Sequence, residues 1–177
     1  MAGYVIHLAV AQEYLKNNKN VEEDYNEFIN GVIYPDSVKD KSQTHYGEKS
    51  CKTNLYKFLV DKKIDNSFNR GYFLHLLTDY LFYNKYIGDF TRDTLLNDYD
   101  ILNKKLIDEY NIVLPNGIEK KVFLKEGTPQ ILSLEIIEKM IKDISNMPID
   151  NVSNEIMENP EKWTKYREYV INYVKNS

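Results

Sequence analysis

Apolar side chains recur at helical spacing along most of the chain. This periodicity predicts helices over about residues 2–18, 22–32, 51–61, 67–87, 90–111, 129–146 and 160–176. The segment 67–87 is apolar around most of its circumference, so we expect it at the centre of a bundle, with Asn66 or Ser67 capping its start. The chain has only 7 glycines and 5 prolines, which favours long helices. The predicted fold class is therefore all-α, a multi-helix bundle.

Turn-forming residues mark where the helical pattern stops. Pro35 disfavours a helical conformation at the residue before it, so we predict a turn at 34–37 and a polar loop over 37–50. Pro129 suits the first turn of the helix predicted over 129–146, and Pro148 marks its end.

The segment 112–125 departs from the helical pattern. Asn116-Gly117 lies there between apolar residues, which is a hairpin signal. We predict either a short β-hairpin or an extended loop for this segment.

Length and composition narrow the classes of protein further. The 177 residues suit one domain, 1–177, and 42% hydrophobic residues are enough for a substantial core. A net charge of −4 argues against a specific nucleic-acid-binding surface. The single cysteine, Cys51, excludes an intramolecular disulfide and fits a reducing compartment. We find no apolar run of transmembrane length and no basic segment typical of a signal peptide, so the expected location is cytoplasmic. The oligomeric state stays open.

The candidate chemistry lies with the three histidines and two aspartates. His75 and Asp79 are four residues apart and share one face of the most apolar helix. A buried carboxylate without a partner would be costly, so this pair is either half of a metal shell or a hydrogen-bonded pair within the core. Taken alone, His7 reads as a core histidine, His45 as a surface histidine and Asp36 as a turn residue.

Taken together, these residues and their neighbours resemble a known family. The order is His7-Leu8, then Tyr34-Pro35-Asp36, then Thr44-His45-Tyr46, then the stretch from Gly71 to Asp79 containing His75. This order resembles the zinc-dependent phospholipase C family, whose helical fold is shared with the single-strand-specific zinc nucleases. The resemblance covers about the first half of the chain.

The resemblance implies specific roles for these residues. Asp36, His45, His75 and Asp79 match the four ligands of one metal, and His7 matches a ligand of a second metal that Asp79 would bridge. Asp36 also matches the aspartate that activates the attacking water, which makes it the expected catalytic residue. Two neighbouring cations can stabilise both the attacking and the leaving oxygen at phosphorus.

The chain also departs from the family pattern. Secreted members use a mature N-terminal amine and a tryptophan as ligands, whereas this sequence begins at Met1 and has its one tryptophan at Trp163. No histidine follows His75, and Asp98 and Asp100 are either substitute oxygen ligands or parts of a solvated helix face. We therefore expect one or two ions. Zinc is the first expectation, and iron, manganese and nickel also suit a mixed N/O site.

Four functional hypotheses follow. The first is a metal-dependent phosphodiesterase or phosphatase acting on a small phosphoester or a phospholipid. The second is a metal-binding domain with a sensor or structural role. The third is a helical phosphohydrolase of the HD type, but none of the histidines directly precedes an aspartate. The fourth is a helical bundle without a metal.

Overall fold

Eight α-helices make up most of the computed structural model, which describes residues 2–19 and 21–168. They are α1 Tyr4–Asn17, α2 Tyr25–Ser37, α3 Lys41–His45, α4 Leu55–Asp61, α5 Ser67–Leu81, α6 Arg92–Tyr110, α7 Leu134–Ser145 and α8 Ile149–Glu158. Short 3₁₀ turns lie at Ser50–Lys52, Ile118–Lys120 and Pro160–Trp163, and a π-helical turn at Phe82–Tyr86 extends α5. No strand occurs in these two ranges, so the all-α class is confirmed. Of the two alternatives for 112–125, the structure has the extended loop, with one 3₁₀ turn.

Helix α5 lies at the centre of the bundle, as its sequence predicts. Every residue from Arg70 to Leu81 is buried. The Asn66 side chain caps the helix by accepting a hydrogen bond from the Asn69 backbone N–H. A helix that is apolar on all sides has to be surrounded by other elements, and here these include α1, α2, α4 and α8.

Helices α2 and α5 make the most extensive contact in the described structure. A Cβ atom on Gly31 would lie 2.0 Å from the Phe68 carbonyl oxygen, and one on Gly71 would lie 2.0 Å from the Phe28 carbonyl oxygen. The two backbones therefore touch at a pair of glycines. This close approach brings the last turn of α2 against the middle of α5.

The turn predicted at 34–37 is wrong, because α2 continues through Pro35 to Ser37. Side chains from other elements satisfy the carbonyl groups of its last turn. Thr44 Oγ1 donates to the Pro35 carbonyl at 2.8 Å, and the Tyr4 hydroxyl and the Lys41 ammonium both donate to the Asp36 carbonyl at 2.9 Å. These tertiary contacts outweigh the local preference of the residue before a proline.

The polar loop predicted over 37–50 is also wrong in part, because α3 lies within it. The Asp40 side chain caps α3 by accepting from the Ser42 backbone N–H. The Tyr72 hydroxyl on α5 donates to the Thr44 carbonyl at 2.7 Å. This packing buries the end of α3, including His45, despite its polar sequence.

In the second half of the chain, the helix predicted over 129–146 begins later, at Leu134. The Asp98 carboxylate on α6 accepts hydrogen bonds from three consecutive backbone N–H groups, those of Gln130, Ile131 and Leu132, at 2.6–2.8 Å. These bonds hold the segment before α7 outside the helix, whose cap is Ser133.

Pro148 ends α7 as predicted, but it also begins α8, which the sequence pattern did not reveal. The helix predicted over 160–176 is wrong for its first part, where a 3₁₀ turn and irregular chain run to residue 168. There the Arg167 backbone N–H donates to the Asn84 side chain instead of to its own segment. Residues 169–177, with Tyr169, Val170 and Tyr173, lie outside the described residues.

Among the described residues, no helix combines the length and the apolar character needed to cross a bilayer.

Candidate metal centre

Four side chains from three helices converge on one buried point. Asp36 comes from the last turn of α2, His45 from the end of α3, and His75 and Asp79 from the middle of α5. One nitrogen or oxygen atom of each lies within 4.8 Å of the others, and the four residues are at most 5% exposed. This group can hold a metal ion.

The spacing of the four donor atoms fits one tetrahedral ion. The Nε2 atoms of His45 and His75 are 3.3 Å apart. Asp36 Oδ1 lies 3.4 and 3.6 Å from these two nitrogens, and Asp79 Oδ2 lies 3.0 and 3.3 Å from them. Four donors bound at about 2.0–2.1 Å around a tetrahedral zinc would be about 3.3–3.4 Å apart. Five of the six edges are therefore already close to the required length.

The other ring nitrogen of each histidine sets the direction of its lone pair. Nδ1 of His75 contacts the Val32 carbonyl at 2.6 Å, and Nδ1 of His45 contacts the Lys41 carbonyl at 3.0 Å. A carbonyl oxygen only accepts, so both Nδ1 atoms carry the hydrogen. In their neutral form, both rings aim the lone pairs of their Nε2 atoms at the shared point, an arrangement typical of metal-bound histidines.

Asp36 is the least satisfied member of the group. Both of its carboxylate oxygens are buried, and neither has a hydrogen-bond partner among the described residues. A buried carboxylate in this state is costly unless a cation pairs with it. The residues present therefore fit a metal ion, which would bind two carboxylates and two imidazoles at once.

Protons compensate the charge in the metal-free site. Burial lowers the pKa of His75, but the carboxylates of Asp36 and Asp79 outweigh burial and raise that pKa to about 9. Burial raises the pKa of both carboxyl groups, and the neighbouring histidines reverse this and hold each pKa well below its usual range. The site therefore attracts positive charge, which either protons or a metal ion can supply.

His7 adjoins this group from the opposite side of Asp79. Its ring stacks on His75 with 3.6 Å between the ring centroids, and its Nε2 lies 3.0 Å from Asp79 Oδ1. The Ala2 backbone N–H donates to the same oxygen at 3.0 Å. Burial and the positive charge on His75 lower the pKa of His7, which favours its neutral form. The role of His7 as a ligand of a second metal stays a prediction.

The structure thus brings together all five side chains singled out in the sequence, four of them around one point and His7 beside them. Asp98 is neither a solvated residue nor part of this group, because it is fully buried and bonded to the segment before α7. Asp100 is also outside the group. Cys51 is buried in the core, and the pKa of its thiol is raised by burial.

Sequence reasoning missed Lys41. Its ammonium lies 3.9 Å from Asp36 Oδ1 and donates to the Asp36 carbonyl. The spacing of Lys41 and His45, four residues apart, would have placed them on one face, but only if α3 had been predicted as a helix.

No family model matches the chain, and neither do curated proteins or solved structures.

Proposed function

We propose that the chain is a metal-dependent phosphoester hydrolase, with zinc as its ion. The observation that supports this most is the convergence of two imidazole nitrogens and two carboxylate oxygens on one buried point, where the Asp36 carboxylate has no hydrogen-bond partner within residues 2–19 and 21–168. Each imidazole nitrogen of the group lies 3.0–3.6 Å from the facing carboxylate oxygens, so the group attracts positive charge, which a metal ion can supply in place of protons.

The donor types favour catalysis over a purely structural role. Structural zinc sites are typically built with cysteine thiolates, whereas catalytic sites combine histidines with carboxylates. The one cysteine of the chain, Cys51, is not in the group. Iron, manganese and nickel also bind such mixed N/O sites, so the donor set alone does not select zinc.

An ion held by these four residues that also accepted water as a fifth ligand would act as a Lewis acid and lower the pKa of that water. Asp36 Oδ1 faces the two histidines, which leaves Oδ2 of the same carboxylate to accept the proton of the attacking water. The Lys41 ammonium beside Asp36 offsets negative charge at the phosphoryl group. The water oxygen bonds to phosphorus, the bond from phosphorus to the alcohol oxygen breaks, and the proton held at Oδ2 passes to that alcohol oxygen.

A structural metal site is the second candidate, and its support is burial. The four residues are at most 5% exposed, and four protein ligands can complete a tetrahedral shell without water. The two candidates predict the same metal content. They differ in turnover, and in whether a small anion can reach the ion.

The test is a turnover assay on zinc-loaded protein with phosphomonoesters and phosphodiesters, with and without chelator. We expect chelator-sensitive hydrolysis, and we expect Asp36→Asn to lower kcat by about 100-fold or more while the helical circular dichroism is retained. Asp93→Asn is the matched control, because Asp93 is an exposed residue of α6 with no part in the group. Full zinc content without hydrolysis of any phosphoester would favour the structural candidate.

A further inference from the structure

A cleft adjoins the metal centre on the side of Lys41. It has a volume of about 390 Å³ and lies between the region from α3 to the following 3₁₀ turn and the start of α6. Lys41 connects the cleft with the metal centre, because it lines the cleft and its ammonium lies 3.9 Å from Asp36 Oδ1. Tyr99 also lines the cleft, and its ring packs against Gly3, next to the Ala2 N–H that bonds Asp79. The four clustered side chains do not line the cleft themselves, so Lys41 is the residue that joins the cleft to the group.

The charge of the cleft is positive. Its lining contains three cationic side chains, Lys41, Lys49 and Arg92, against one carboxylate, Glu48, and the Lys41 ammonium also lies 3.9 Å from Asp36 Oδ1. The whole chain has the opposite sign, with a net charge of −4. A local excess of cations on an acidic protein favours an anionic ligand there.

The walls of the cleft are apolar and aromatic. Phe90, Leu95 and Tyr99 are at most 5% exposed overall and line it together with Leu96, which is 37% exposed. A volume of about 390 Å³ is within the range of small-molecule sites, which combine apolar walls with a few polar groups. Inorganic phosphate offers no apolar group to these walls, so the lining favours a ligand that carries an organic group.

We propose that this cleft binds a dianionic phosphomonoester whose alcohol carries an aromatic or alkyl group. The phosphate lies toward the Lys41 ammonium, and the organic group packs against Phe90, Leu96 and Tyr99. A phosphomonoester carries two negative charges near pH 8 and a phosphodiester carries one, so a lining with more cations than carboxylates favours the monoester. This assignment names the substrate class of the hydrolase proposed above and rests on that function.

The test is calorimetric titration of zinc-loaded protein at pH 8 with three non-hydrolysable or simple probes. Phenylphosphonate has both the dianion and the apolar ring, its monomethyl ester lacks one charge, and inorganic phosphate lacks the ring. We expect phenylphosphonate to bind about 10-fold more tightly than either of the others. Equal binding of all three would overturn the proposal, because an adventitious anion site does not require both features.

Two cleft variants and two matched controls localise the binding. Arg92→Gln removes a cation, and Leu96→Glu places a negative charge at the rim, so each should weaken phenylphosphonate binding by about 3-fold to 10-fold. Lys105→Gln and Leu124→Glu are the controls, because both residues are exposed and neither lines the cleft. Unchanged binding in both cleft variants would overturn the assignment.

The same variants separate this proposal from the proposed hydrolysis. Selective phenylphosphonate binding by a zinc-loaded protein that hydrolyses no phosphoester would support the cleft and contradict the hydrolase. Phosphoester turnover with a KM that does not respond to Arg92→Gln or Leu96→Glu would support the hydrolase and contradict the cleft.

Discussion

Replacing Asp79 with asparagine should remove metal binding while keeping the packing of the site. Asparagine has the same shape, and its Oδ1 can still accept from the Ala2 N–H and from His7 Nε2, both now 3.0 Å from Asp79 Oδ1. Its Nδ2 would take the place of the oxygen that lies 3.0 Å from His45 Nε2 and 3.3 Å from His75 Nε2. An amide nitrogen offers no lone pair to a metal, so the shell loses one donor.

The size of the effect follows from linkage between binding and folding. Zinc at about 1,000 times its dissociation constant stabilises the folded state by about 4.1 kcal/mol. For a domain of this size, 1 kcal/mol shifts Tm by about 2–4 °C, so zinc should raise the Tm of the unchanged protein by about 8–16 °C. Asp79→Asn should abolish this difference between zinc and chelator, whatever its effect on the metal-free protein.

The assay is a pair of thermal melts, one with zinc and one with chelator, for each variant. Asp98→Asn is the matched control, because Asp98 is also fully buried but bonds backbone N–H groups of residues 130–132. We expect it to cost about 1.5–3 kcal/mol of stability through a lost charged hydrogen bond, with the zinc-induced shift intact. A full zinc-induced shift in Asp79→Asn would refute the assignment of Asp79 as a ligand.

Three further predictions concern the surroundings of the site. Gly71→Ala should destabilise the protein by about 1–3 kcal/mol or more and lower its zinc content, because the added Cβ would lie 2.0 Å from a carbonyl oxygen of α2. Gly88→Ala is the control, because a Cβ there meets no atom within 4 Å. Equal denaturation midpoints for the two variants would contradict the prediction. The pKa of His75 in the folded protein, about 9, lies above its value in the unfolded chain. Protonation of His75 therefore stabilises the metal-free protein fully below about pH 6.5, and this stabilisation is lost as the pH rises to about 9. Denaturation of chelator-treated protein across that range checks the sign, and rising stability would be the contrary result. His7→Leu should reduce the zinc content from two ions to one if His7 binds a second ion; an unchanged content of two would remove His7 as a ligand.

The central helix and the candidate site residues could be predicted from the sequence because their signals are local or regular. The apolar character of 67–87 on all sides indicated a buried helix, and α5 with its π-helical turn covers this range. The i, i+4 spacing placed His75 and Asp79 on one helix face, and in the structure His75 Nε2 lies 3.3 Å from Asp79 Oδ2. The pairing with His45 and Asp36 came only from the resemblance, because no local rule links residues 30–43 positions apart.

The errors share one physical cause, which is contact between distant segments. Pro35 lies inside α2 because side chains from other parts of the chain satisfy the last carbonyl groups of that helix. The late start of α7 follows from three hydrogen bonds to Asp98, more than 30 residues earlier in the chain. Local propensity contains no information about such partners.

The most direct test of the central claim is X-ray absorption at the zinc edge of the purified, zinc-loaded protein. The proposed site predicts a first shell made only of nitrogen and oxygen at about 2.0–2.1 Å, with the outer-shell signal of two imidazole rings. A first shell containing sulfur at about 2.3 Å, or zinc that washes out on desalting, would contradict a centre built from Asp36, His45, His75 and Asp79.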